Sequence, residues 1–403
     1  MTEAVRKRPR LFFLTVIAAA GPLAMNILNP AMPIIETDFQ TSYEVAGLTL
    51  TLYLLALGVS QLFVGSLSDR FGRRPIVLIG MLLFILGSLF CYMATSIEFL
   101  IFGRIIQAAG GCTGLVMGRT MVRDMYGTEK AASMLAYMVM IMVVVPLIAT
   151  PLGGFLTDRS GWQANMILAG IYGIFAFALS VKWLHETHFN LQPMTGLFQM
   201  FSGFGSLIVN PRFTHNAFQT AFSSAAFFAF VAGAPKAMQD MGESPTTFGL
   251  YFAVAGFFYM AGNFITGRKS ESWGPSRLVL FGTLSAFSGG LHLLACLLTG
   301  TLTPITLFTG MAIVAFGNGL SLPSGTAGAV SADLNRIGAA AGLSGFLQIG
   351  GGALASALVA KLMALTGGPD PLIYAMTLSV TVALAISLAG QSYEKRLATR
   401  ASA

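Results

Sequence analysis

Twelve runs of about twenty apolar residues, separated by short polar breaks, constrain this chain more than any other feature. They fall at 11–35, 45–67, 75–95, 99–122, 131–157, 163–184, 213–237, 247–267, 276–298, 303–325, 339–363 and 371–391. A helix rising 1.5 Å per residue crosses the roughly 30 Å hydrocarbon core of a bilayer in about 20 residues. Each run is long enough. Charge agrees, because only 10% of the 403 residues are Asp, Glu, Lys or Arg, against roughly 25% in soluble domains. The chain is read as an all-α integral membrane protein with twelve transmembrane helices, which excludes collagen, a disordered tail, a disulfide scaffold and an ordinary soluble enzyme. Cys91, Cys112 and Cys296 each lie in an apolar run. They are expected to pack as small hydrophobes, with no disulfide and no metal site.

Arg6, Lys7, Arg8 and Arg10 precede the first run. That run is too long for a signal peptide and lacks a clear cleavage site, so it is expected to be retained as the first helix. Of 23 Lys and Arg, only Arg159, Lys236 and Lys361 fall on the side opposite the N-terminus, and Arg104 lies within the fourth run. The positive-inside rule then places both termini in the cytoplasm. The pI near 9.5 follows from this topology, and no nucleic-acid partner is expected.

The chain repeats itself. Gly65-Ser66-Leu67-Ser68-Asp69-Arg70-Phe71-Gly72 follows the second run, and Gly267-Arg268-Lys269-Ser270-Glu271-Ser272-Trp273-Gly274 follows the eighth, sharing Gly-x-x-Ser-acid-x-aromatic-Gly at an offset of 202 residues. Both copies follow an even-numbered run, so the halves are expected to be parallel six-helix repeats. The expected division is an N-terminal half at 1–184, a cytoplasmic connector at 185–212, a C-terminal half at 213–391 and a cytoplasmic tail at 392–403. Secondary transporters are built this way, with a site between two halves at mid-membrane depth.

None of the sixteen carboxylates falls at the centre of a run. Arg104 does lie within one, about 10 Å outward of its middle by helical rise. Either it faces a cavity and finds acceptors, or it snorkels to the outer headgroups. Asn26, Asn29, Tyr53, Gln61, Gln107, Tyr259, Asn263, Asn318 and Gln348 are neutral polar groups near mid-depth. They are expected to line a cavity, with helix–helix hydrogen bonding as the alternative. His292 is expected to be a helix–helix partner. With 32 Phe and 21 Met, such a cavity would be apolar and adaptable. Pro22, Pro30, Pro33, Pro146 and Pro151 are expected to bend runs 1 and 5. Gly110-Gly111, Gly153-Gly154 and Gly350-Gly351-Gly352 should let helices approach closely.

The segment Gly65 to Arg74, with Asp69, Arg70, Gly72, Arg73 and Arg74, resembles the cytoplasmic signature loop of the major facilitator superfamily. Asn29-Pro30-Ala31-Met32-Pro33, the set Tyr53, Gly58, Gln61 and Gly65, the stretch Arg104 to Gly111, Arg123-Asp124-Met125-Tyr126, Gly233-Ala234-Pro235 and Ser244 to Phe252 resemble its twelve-span drug:proton antiporters of the bicyclomycin and chloramphenicol resistance type (Bcr/CflA). The likeness covers nearly the whole chain. It implies the major facilitator fold, a conformational-switch role for Gly65, Asp69, Arg70, Gly72, Arg73, Arg74, Arg123 and Asp124, and a tie between Arg104 and proton transfer. Two positions depart from the pattern. Asn26 stands where the branch often has a helix-1 acid, and the helix-5 antiporter motif reads Thr150-Pro151-Leu152-Gly153-Gly154, its proline displaced by one residue and Pro146 one turn earlier.

The expectation is a monomeric transporter of the bacterial inner membrane. It would export small amphiphilic compounds by alternating access in exchange for protons, with no cofactor beyond the proton gradient and only substrate, protons and lipid bilayer as partners. A metabolite or siderophore permease of the same fold is the nearest rival. A membrane-embedded enzyme would need reactive groups clustered at one depth, whereas His185, His188, His215 and His292 are dispersed.

Overall fold

The computed structural model describes residues 11–189, 204–333 and 337–402. Arg6, Lys7, Arg8, Arg10, the middle of the connector and Arg336 lie outside these residues. Twelve stretches of helix are long and apolar enough to cross a membrane among the described residues. The first is interrupted: α1 (Leu11–Leu28) passes through a 3-10 turn at Asn29–Ala31 into α2 (Met32–Asp38). Pro30 and Pro33 withhold N–H groups there, so the chain cannot keep a regular ladder. Pro22, Pro146 and Pro151 instead sit inside continuous helices.

Next come α3 (Tyr43–Phe71), α4 (Arg73–Tyr92), α5 (Ile97–Ser160) and α6 (Gln163–Trp183). Then follow α7 (Pro211–Asp240), α8 (Pro245–Trp273), α9 (Pro275–Leu298), α10 (Pro304–Val330), α11 (Ile337–Thr366) and α12 (Asp370–Ser402). Four of these open with proline at the first helical position, where its missing N–H costs nothing. Asn210, Ser244 and Thr303 supply side-chain caps to α7, α8 and α10.

The fourth and fifth spans belong to one helix of 64 residues, where the sequence reading places a break at 123–130. The segment Gly127-Thr-Glu-Lys-Ala-Ala-Ser-Met-Leu-Ala136 holds no proline and is mostly good helix formers, so the backbone continues between the spans. The signature segment differs likewise. Residues 65–71 are the last two turns of α3, and only Gly72, at φ +93°, breaks the helix before α4.

The chain divides into two compact units, Met1–Thr41 with Leu52–Thr195, and Ser42–Thr51 with Gly196–Ala403. Inside the first, α1 packs on α5 and α6, and α4 packs on α5 and α6. Inside the second, α7 packs on α10, α11 and α12, and α9 packs on α10 and α12. At the level of these helices the two sets of neighbours correspond, with α5 standing for both the fourth and the fifth span. Contact between backbones explains part of the glycine content. A Cβ at Gly153 would strike the Ile27 carbonyl of α1, and one at Gly111 would lie 2.8 Å from Gly21 Cα. Gly352 is similarly closed off by Phe228, while Gly350 and Gly351 have no neighbour nearer than 3.9 Å. Large apolar side chains such as Phe257, Phe264, Leu354 and Leu378 point outward, which a bilayer tolerates and water does not.

Candidate functional site

In the first unit a cation is buried where α1, α3, α4 and α5 meet. Arg104 on α5 is 1% exposed. Its Nη1 donates to the Ala24 carbonyl of α1 at 2.9 Å and to Gln107 Oε1, one turn along α5, at 2.6 Å. Gln107 passes the chain on, its Nε2 donating to Ser88 Oγ on α4 at 2.8 Å, and Ser88 donates to the Phe84 carbonyl. The Tyr53 ring of α3 lies beneath the guanidinium, 4.0 Å from ring centroid to Arg104 Cζ, and its hydroxyl donates to the Gly21 carbonyl at 2.8 Å. A guanidinium over an aromatic face is attracted by the ring's electron-rich surface, more so when desolvated. Every acceptor here is neutral, and no carboxylate among the described residues pairs with Arg104. Its Nε has no hydrogen-bond partner.

Asn26 lies in the same buried region, at 0% exposure. It does not bond Arg104. Its Nδ2 donates back to the Pro22 carbonyl at 2.8 Å, and its Oδ1 is left without a partner. Asn29, 2% exposed in the 3-10 turn, has an unpartnered Nδ2. Gln61, on α3, is half-buried and stands apart from this group.

The helix-5 residues adjoin α1 as well. Pro146 and Pro151 are half-buried, Gly153 and Gly154 are buried, and Gly153 faces Ile27. The Gly153 carbonyl accepts from Thr157 Oγ1 at 2.7 Å, and Asn165 Nδ2 donates to that same hydroxyl at 2.8 Å.

A second cluster forms at the end of α3. Arg73 opens α4 with its side chain only 6% exposed, and donates from Nη1 to Asp69 Oδ1 at 2.6 Å and to Ser68 Oγ, and from Nε to Asp124 Oδ2 at 3.1 Å. Glu186, in the connector, accepts the backbone N–H of Arg73 at 2.9 Å and of Arg74 at 3.0 Å, together with those of Thr187 and His188. It thus caps the start of α4, where the helix dipole favours an anion. Burial pushes the Glu186 carboxyl up, but four backbone N–H donors outweigh it and hold the group below its ordinary 4.5. Arg74 donates to the Val181 carbonyl of α6, and Thr187 Oγ1 to Asp124. Arg70 lies over the Phe71 ring. Asp69 is therefore paired with Arg73 and not with Arg123, which points out to solvent. Gly65 is helical, and a Cβ there would meet nothing within 4 Å.

In the second unit the expected residues fall into separate pairs. Asn263 Nδ2 donates to the Tyr259 carbonyl one turn back on α8, and Gln348 Nε2 on α11 donates to Thr326 Oγ1 on α10. His292 faces the Thr306 carbonyl of α10. A buried polar group that includes the expected Asn318 lies between α7 and α10. Asn318 Nδ2 donates to the Ser223 carbonyl at 3.1 Å, and Gln219 Nε2 to Ser223 Oγ at 3.0 Å. Sequence reasoning passed over Gln219, Ser88 and Glu186. A glutamine with serine four residues on, as at Gln219 and Ser223, was the available signal for the first; the capping role of Glu186 carries no local signal, since the Arg73 and Arg74 N–H groups it caps are 113 and 112 residues away.

Residues 12–356 match the profile described as Major Facilitator Superfamily. The chain is 30% identical over 352 residues to Multidrug resistance protein D of Escherichia coli (strain K12), covering 86% of this chain and 87% of that protein. It is 30% identical over 355 residues to the uncharacterized MFS-type transporter YdgK of Bacillus subtilis (strain 168), with 86% and 87% covered. It is 29% identical over 276 residues to a chloramphenicol resistance protein of Pseudomonas aeruginosa, with 67% and 64% covered. The chain belongs to the major facilitator superfamily: it is a multi-pass membrane transporter and not an enzyme.

Proposed function

We propose that this transporter exports small amphiphilic compounds from a bacterial cell by alternating access, in exchange for protons. The observation that carries the reading is likeness, over most of both chains, to relatives named for multidrug and chloramphenicol resistance. The excess of Lys and Arg on one side supports an inner-membrane protein with both termini cytoplasmic. The transporter acts as a monomer without a cofactor, on energy from the proton gradient.

The buried junction fits a conformational role. A guanidinium held only by neutral groups keeps its charge uncompensated, and an acid arriving nearby, from substrate or solvent, would be drawn to it. With no carboxylate at mid-depth, proton exchange falls to edge groups, and Asp69 and Asp124, sharing Arg73, are the pair whose bonds a rocking motion would make and break. An apolar pathway without a carboxylate cannot offset the desolvation of a dication. Neutral, zwitterionic and anionic compounds are therefore the preferred cargo.

The test is growth of an expressing strain against a panel of antibiotics and dyes, joined to proton flux in everted vesicles. Raised resistance to a neutral phenicol, with substrate-driven proton release abolished by an uncoupler, is the expected result. Resistance that survives collapse of the gradient would remove proton exchange. Uptake of a metabolite without any resistance would replace export by the permease reading, and resistance to a bis-quaternary dye equal to that for the phenicol would overturn the cargo preference.

A further inference from the structure

The offset that joins the two signature segments carries Gly72-Arg73-Arg74 onto Gly274-Pro275-Ser276, and Glu186 onto Leu388. The carboxylate that caps α4 thus has no counterpart for α9. Gly274 gives α9 no side-chain cap. Gln391 of α12 reaches this turn from the wrong side, its Nε2 donating to the Ser276 carbonyl at 2.9 Å. A helix of 24 residues therefore opens with the positive end of its dipole unanswered.

Beside that turn lies a cleft of about 130 Å³ whose wall includes Pro275, Ser276, Arg212, His215, Gln219 and Ser387. Two of these carry buried oxygens with no partner: the hydroxyl Ser387 Oγ, on a residue 6% exposed, which can donate to an anion, and the amide oxygen Gln219 Oε1, on one 1% exposed, which accepts and so can meet only a protonated oxygen of a hydrogen phosphate. Buried polar atoms without partners cost free energy and call for a missing one. Arg212 stands at the rim, bonded from Nε to Glu394 Oε1 at 3.0 Å, with both side chains about half exposed. Such an exposed pair is weak and can be exchanged. The volume is close to that of a cavity known to hold a benzene ring, about 150 Å³, so a phosphate group fits and an extended amphiphile does not.

We propose that this cleft binds a phosphate-bearing anion, presented by an anionic lipid headgroup or by free phosphate, at the start of α9. The anion takes the place that Glu186 fills at α4. The Ser276 N–H, the first that α9 offers because Pro275 has none, and the Ser387 hydroxyl donate to its oxygens, and Arg212 supplies the countercharge. The α4 helix is thus capped by its own chain, and α9 by a ligand.

Thermal unfolding of the full-length protein in an uncharged detergent tests this, with inorganic phosphate and a short-chain phosphatidylglycerol titrated separately. At least one should raise the midpoint by about 2 °C or more at saturation. Ser387→Asp, which places a carboxylate of the chain in the wall, should remove most of that shift. If Ser387→Asp does not fold, Arg212→Gln and His215→Gln should each cut the shift at least by half. A response to phosphatidylglycerol alone assigns the anion to lipid, and a response to phosphate alone assigns it to the soluble ion. No shift with either, or a shift that all three variants leave unchanged, overturns the proposal.

Discussion

The two signature segments share a backbone and differ in chemistry. In both, a helix of 29 residues ends at a glycine of positive φ, +93° at Gly72 and +75° at Gly274, and the next helix starts at once. Around the first, Arg73 gathers Ser68, Asp69 and Asp124 while Glu186 caps α4. Around the second, proline stands where Arg73 would be, and no ion pair involves Glu271 among the described residues. The helix junctions repeat the contrast, since α1 and α5 enclose a cation whereas α7 and α10 enclose only amides and hydroxyls. A parallel repeat fixes where helices begin, break and touch. It leaves each half free to bury charge or not, and among the described residues the buried cations, Arg73 and Arg104, both lie in the first.

The largest effect that breaks this asymmetry is expected at Arg104. Arg104→Met keeps most of the volume and removes the charge, and transport should be lost. Desolvating a cation without a countercharge costs several kcal/mol, which a few neutral hydrogen bonds only partly offset. The thermal midpoint of Arg104→Met should therefore be equal to or above that of the parent. Lost transport together with a lowered midpoint would make Arg104 a structural residue, and normal transport would leave it no role.

Arg73→Ala should come next. It strands Asp69 and Asp124 close together on a side chain's worth of empty, largely buried space. Breaking a buried pair costs about 3–5 kcal/mol. With Asp69 47% and Asp124 22% exposed, the expectation falls to about 2–3 kcal/mol in denaturant unfolding. Asp69→Asn should cut transport strongly while insertion stays normal. The control is Pro275→Ala, at the matching position of the second half, which should change stability by less than about 0.5 kcal/mol. Equal losses at 73 and 275 would mean that the two segments are not as different as their side chains.

Much of this was legible in the sequence, and what was not has a physical cause. Length and apolarity alone locate twelve spans, because only helices and closed barrels satisfy the backbone in hydrocarbon and a run of about twenty apolar residues fits the helix. Arg104 stood out for the same reason. The company it keeps did not: Ala24 is recognised through its carbonyl, which every residue has, and Ser88 through a hydroxyl shared with many helix-lining serines. The break expected at 123–130 rested on polarity, yet polar residues without proline or paired glycines continue a helix. Glu186 lies in a connector with no periodicity, and its role exists only because α6 ends beside the start of α4.

Glu186→Gln sharpens the comparison through pH. The neutral amide keeps a hydrogen-bonding oxygen but loses the charge at the α4 dipole, so the cost near neutrality should be about 1 kcal/mol after allowance for solvent screening. Because the folded carboxyl titrates below its ordinary 4.5, its contribution is complete above that value and disappears as pH falls further. Parent and Glu186→Gln should therefore differ in midpoint at pH 7 and converge as pH drops below about 4.5. A difference that persists at lower pH would mean that Glu186 acts by shape and not by charge.

The smallest effect should be at Glu271, the counterpart of Asp69. It is exposed, on the last turns of α8, with Lys269 directed at the Trp273 ring and Arg268 over the Phe264 ring. Neither cation is committed to it. An exposed carboxylate without a fixed partner contributes within about 0.5 kcal/mol, and near a helix C-terminus its charge opposes the dipole. Glu271→Gln should thus leave the midpoint unchanged or slightly raised, and transport should stay within about twofold of the parent when initial rates are compared at equal expression. The informative measurement is the double variant Asp69→Asn with Glu271→Gln. If the asymmetry is right, it transports no worse than Asp69→Asn alone, since the second carboxylate is not part of the switch. A further large drop would show that Glu271 finds a partner in another conformation of the cycle, and the two segments would then work as alternates.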